Sequence, residues 1–156
     1  MIQPRKNESK SDLKAKDIRL LAAIGFISAR SGLAEQSRKI FEGLAIARPE
    51  STFPYIGLAL TNLCIGAPDT AVEILKVRGL KAVPNDSELR AWLAIAFHYS
   101  GQVVNAGQVC DQLQSEYGGP EVLSTLNKVL SRYFNDAPRI YSPHSFGQAQ
   151  WAAAGK

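Results

Sequence analysis

Residues 24–41 read IGFISARSGLAEQSRKIF, and the rest of the chain answers them at a fixed step. Gly32 is followed by Gly66 and Gly101, at separations of 34 and then 35 residues. The same step links Ser37 with Ala71 and Ala106, and Phe41 with Leu75 and Cys110. It also links Ile24 with Leu58 and Leu93, and Gly25 with Ala59 and Ala94. Several columns agreeing on one period near 34 residues is the mark of tandem helix–turn–helix units.

Each column has a physical reason. A small residue at Gly25, Ala59 and Ala94 lets two helices cross closely, and Ser37, Ala71 and Ala106 supply the matching short contact. Ile24, Leu58 and Leu93, with Phe41, Leu75 and Cys110, are expected to fill the seam between the helices. The three glycines fall just past the end of each first helix, where a left-handed residue closes the turn.

These signals predict an all-α fold, three helical hairpins plus a closing helix, in a right-handed superhelical array. Residues 1–16 are polar and read as a solvated arm, 17–134 as the repeat domain, and 135–156 as a tail. Asp17 is expected to cap a helix over about 18–31, with its partner at 34–47 ending before Pro49. A third helix is expected from Ser51 or Thr52, with Pro54 in its first turn, to about Ile65. A fourth runs from about Asp69 to before Pro84, a fifth from the capping segment 85–88 to about Ser100, and a sixth over 103–116. Pro120 opens a seventh, 121–134, which would cover the open end of the array. The tail carries Ile140, Tyr141, Phe146 and Trp151, so it is either unstructured or docked on its own surface or a partner.

Composition narrows the function classes. Of 156 residues, 46% are hydrophobic and 21% charged, and no apolar run reaches membrane-spanning length. The first residues lack the apolar stretch of a signal peptide, so the expected location is cytoplasmic. The net charge of +4 belongs mostly to the ends, because residues 18–134 hold 11 Lys/Arg against 10 Asp/Glu. No basic helix face of the kind that binds nucleic acid is present. Cys64 and Cys110 are expected to be reduced and largely buried. A Cys110–His98 pair is a weak catalytic candidate, since Cys110 occupies a core column. No phosphate loop or metal-spaced cluster accompanies it, so no enzyme, metal or cofactor is expected.

Counting from Ile18, Thr52 and Ser87, the positions facing the concave side can be read off. They give Phe26, Phe53, Ile56, Leu60, Leu63, Ile95 and Tyr99 as an apolar lining, with Arg30 and His98 at its margins. Such a surface predicts a protein ligand, and an aliphatic trough suits the apolar face of an amphipathic helix. The alternative is that neighbouring helices cover these residues.

Over 18–116 the pattern, with Gly25, Gly32, Phe41 and Pro49 of the first unit in place, resembles the tetratricopeptide (TPR) repeat proteins. Ser28 and Asn62 depart from it, replacing a large residue late in the first helix, and Arg90 stands where an aromatic is common. The Lys and Asn that grip a carboxylate in chaperone-binding TPR domains are also missing, their places holding Ala22, Phe26, Ile56, Leu60, Ala91 and Ile95. A narrower stretch, Ile40-Phe41-Glu42-Gly43-Leu44, then Arg48-Pro49 and Pro54-Tyr55-Ile56-Gly57-Leu58-Ala59, resembles the small TPR-like chaperones of bacterial type III secretion, closest to the YscG/PscG type. That resemblance implies a needle-type secreted subunit held by its amphipathic helix, and a second small co-chaperone alongside. A translocator chaperone or a general TPR scaffold are the alternatives.

Overall fold

The computed structural model describes residues 14–117, and among them every regular element is helical. The helices are α1 (Ala15–Arg30), α2 (Ala34–Ala47), α3 (Phe53–Cys64), α4, α5 (Ser87–Tyr99) and α6 (Val103–Tyr117). The fourth is continuous in three pieces: Pro68–Glu73, a π-helical stretch Ile74–Gly79, and a last turn Leu80–Ala82. The expected arm, seventh helix and tail fall on or run into residues outside this range.

Each hairpin closes in the same way. Gly32, Gly66 and Gly101 have φ of 77°, 75° and 76°. The next residue's amide then reaches back five positions: Leu33 to the Ser28 carbonyl at 2.9 Å, Ala67 to Asn62 at 2.9 Å, and Gln102 to Phe97 at 2.8 Å. This is the Schellman closure, and it satisfies carbonyls that a helix end leaves without partners.

Helix starts differ from expectation. Asp17 lies inside the first turn of α1 rather than at its cap, which is Lys14, so it acts only on the helix dipole. Thr52 precedes α3 without a side-chain cap bond, and Pro54 sits in the first turn as expected. Asp86 does cap α5, its Oδ1 accepting from the Leu89 amide at 2.8 Å.

The core has two main clusters and a small third formed by Ala91 and Leu113. One main cluster gathers Phe41, Leu44, Leu58 and Ile18; the other gathers Ile56, Leu60, Leu75, Leu89, Trp92 and Ile95. Phe26 packs against both, its ring 4.8 Å from that of Phe41. Ser37 and Thr61 add a buried polar joint. Ser37 donates to the Gly25 carbonyl at 2.9 Å, Thr61 to the Gly57 carbonyl at 2.7 Å, and the two hydroxyls stand 2.7 Å apart. With two hydroxyl protons for three contacts, one proton is shared between a carbonyl and the facing hydroxyl, which joins α1, α2 and α3.

One seam residue departs from its column. Leu58 and Leu93 are 1% and 5% exposed, but Ile24 is 43% exposed. The column is buried by the preceding hairpin, and among the described residues none precedes α1.

Candidate functional site

The first helices of the three hairpins lie side by side, α1 on α3 and α3 on α5. Residues at equal places in the repeat therefore form rows across the array. Ile56, Leu60 and Ile95, expected as an open lining, are 0%, 1% and 5% exposed. All three belong to the core cluster around Trp92, so the central aliphatic trough is closed. Neighbouring helices sit close enough to seal them.

What remains open is the row at the C-terminal ends of these helices. Arg30, His98 and Tyr99 are exposed, and Leu63, Phe26 and Phe53 are half-buried. Tyr99 meets His98 edge to face, with ring centres 6.0 Å apart. Cys64 lies between its row partners Arg30 and Tyr99. Partial burial pushes its thiol pKa up, while Arg30 pulls it down. Burial also raises the Tyr99 phenol, helped by the neighbouring Cys64. The structure thus brings Arg30, Leu63, Tyr99 and His98 to one rim, while Phe53 lies at the opposite, N-terminal end of α3 and packs with Phe26 against the Phe41 cluster.

Cys64 is exposed rather than buried as expected, and Cys110 is half-buried; both are free thiols. Cys110 is also pushed up, by burial first and then by Asp111. Raised values keep both thiols protonated, the opposite of an activated nucleophile. Among the described residues no His, Cys, Asp and Glu group can hold a metal ion. None of the described helices is long and apolar enough to cross a membrane.

The opposite side of the array holds a feature the sequence did not announce. Arg78, within the π-helical stretch, donates twice to Glu42 on α2, at 2.7 and 2.6 Å. The hydrogen bonds from Arg78 hold the Glu42 carboxyl below its ordinary value near 4.5. An open cleft is lined here by Arg38, Glu42, Asn62, Ile65, Ile74 and Arg78. Asn62, one of the departures from the repeat pattern, is 4% exposed and donates to the Leu58 carbonyl at 2.7 Å. Arg90, another departure, makes a two-pronged bond to Glu116 at 2.9 and 2.6 Å, tying α5 to α6. A spacing of 36 residues between Glu42 and Arg78 was the only available signal, and it is close to one repeat.

No family model matches the chain, and no curated protein does. Solved structures do. One is that of the type III secretion translocator chaperone SycD from Yersinia enterocolitica, at 18% identity and a TM-score of 0.61, covering 78% of this chain and 90% of that one. Another is a type III secretion complex from Aeromonas hydrophila, at 17% identity and a TM-score of 0.58, covering 76% of this chain and 79% of that one. At such identities the likeness is one of fold: this chain has the TPR-like helical architecture of SycD.

Proposed function

We propose that the protein is a chaperone of a bacterial type III secretion system, holding a segment of a secreted partner against the rim formed by Arg30, Leu63, His98 and Tyr99. One observation carries the proposal: an array matching SycD over most of both chains presents, at the ends of its first helices, apolar groups interleaved with polar ones. Such a row can cover a self-associating segment of a subunit that must assemble only after export. It gives that segment both contact area and hydrogen-bond partners.

The shape of the ligand follows from what is closed. A continuous aliphatic trough through Ile56, Leu60 and Ile95 would favour the amphipathic helix of a needle-type subunit. With those three buried, the half-buried Leu63 is an isolated apolar spot beside Tyr99 and His98, and Phe26 and Phe53 are further half-buried spots along the first helices. Separate spots among hydrogen-bonding groups favour an extended segment, as a translocator would supply, and SycD is a translocator chaperone. The needle-subunit helix, with a small co-chaperone, is the second reading and rests on the stretch around Phe41 and Pro54.

The deciding experiment co-expresses the protein with a translocator subunit and, separately, with a needle subunit of the same secretion system. A stable complex with the translocator, lost in the Leu63→Ser/Tyr99→Ala double variant, supports the first reading. A complex with the needle subunit alone supports the second. Binding of neither, with normal folding, would leave a general scaffold.

A further inference from the structure

The outward face of α1 is built like an interior. In the repeat register Leu20, Ile24 and Ile27 correspond to Pro54, Leu58 and Thr61, and to Leu89, Leu93 and Ala96. The later residues are buried: Leu58 at 1%, Thr61 at 0%, Leu89 at 0%, Leu93 at 5% and Ala96 at 0%. They are covered because α3 packs on α1 and α2, and α5 packs on α3 and α4. On α1 the same places are 61%, 43% and 64% exposed. The stripe is therefore one half of the contact that joins successive hairpins, with the covering half missing among the described residues.

Charge selects what could complete it. Along one edge of the stripe stand Lys16, Arg19 and Arg30, all exposed, while the other edge has the half-buried Asp17 and, at the helix cap, the exposed Lys14, whose charges cancel. The chain's own remaining segments are also net positive. Residues 1–13 hold Arg5, Lys6 and Lys10 against Glu8 and Asp12, with few apolar residues to match the stripe. Residues 118–156 hold Lys128, Arg132, Arg139 and Lys156 against Glu121 and Asp136. A second copy packed antiparallel about a twofold axis would set like edges together, basic against basic. Like charges so placed disfavour the pairing.

We propose that this face docks an amphipathic helix of another protein, apolar on one side and acidic along one edge. That helix lies on α1 as α2 lies on α3, acting as a helix of a preceding hairpin. The site is separate from the rim of Arg30, Leu63, His98 and Tyr99 in its apolar contacts, and does not depend on the secretion reading.

The test uses the full-length chain and two synthetic helices of about five turns. Both carry Leu at i, i+3, i+4 and i+7 spacing; one has Glu along an edge, the other Lys. Titration by fluorescence anisotropy is expected to show the Glu peptide binding at least about tenfold more tightly, with that preference shrinking as salt is raised. Leu20→Ser/Ile27→Ser should remove binding with the circular dichroism spectrum unchanged, and Lys16→Glu/Arg19→Glu should reverse the preference. Leu63→Ser should leave peptide binding intact. Equal binding of both peptides, binding of neither, or loss of binding in Leu63→Ser would overturn the proposal. So would a dimer of the chain, seen by sedimentation and removed by Ile27→Ser.

Discussion

A β-carbon placed on Gly57 would stand 2.3 Å from the ring of Phe41. Phe41 is fully buried, so the ring fills the space where two backbones approach. Gly25 meets the same ring from α1, its hypothetical β-carbon 2.8 Å away. One aromatic of α2 is thus wedged between the first helices of two successive hairpins. The crossing can be this close only because both contacts are glycines.

Gly57→Ala should therefore lower stability by about 1–3 kcal/mol, the usual cost of overpacking. Gly43→Ala is the control, since nothing lies within 4 Å of its added carbon. On an exposed helical site that change should raise stability by about 0.5–1 kcal/mol. Urea denaturation of the two variants checks the contrast, and a stable Gly57→Ala would mean that Phe41 is not so confined.

Ala71 is fully buried in the small-residue column of the second hairpin. Ala71→Leu should cost about 1–3 kcal/mol for the same reason. Retention of full stability would contradict the repeat register itself.

Leu60 and Ile95 test the closure of the trough. At 1% and 5% exposure, neither can accept a charge without losing the core. Leu60→Glu should abolish the cooperative thermal transition. A folded Leu60→Glu protein that had lost only partner binding would restore the open-trough picture.

The Glu42–Arg78 pair predicts a pH dependence with a definite sign. The folded carboxyl titrates below its ordinary value near 4.5, so its contribution is present above that value and fades as pH falls through the lower folded value. Both side chains are 41% exposed, so the pair contributes roughly 0.2–1 kcal/mol after solvent screening. Urea midpoints measured from neutral to acidic pH should converge for wild type and Glu42→Gln below that window. Midpoints that stay parallel throughout would contradict the assignment.

The limits of α2 match the sequence reading because turn signals mark both ends: Gly32 lies just ahead of it and Pro49 follows. The three left-handed glycines were legible for the same reason, since that backbone conformation leaves little choice of residue. The π-helical stretch of α4 was not. It accompanies a close tertiary fit, with a β-carbon on Gly79 lying 3.2 Å from Leu89 and 3.3 Å from Tyr55. The sequence offsets carried no information on depth at the candidate site. Helical offsets led to the expectation that Leu60 and Tyr99 share one open face; only the spacing of the helices decides that Leu60 is sealed and Tyr99 exposed. Ile24 shows the converse, a core column whose first member has no preceding hairpin to cover it among the described residues.

The most direct test of the secretion-chaperone account is to recover the protein from a lysate of its native cells and identify what co-purifies, comparing wild type with Leu63→Ser/Tyr99→Ala. The account predicts a stoichiometric complex with a secreted subunit of a type III system, missing from the variant although it folds normally. Recovery of the wild-type protein alone, or the same partner on both proteins, would contradict it.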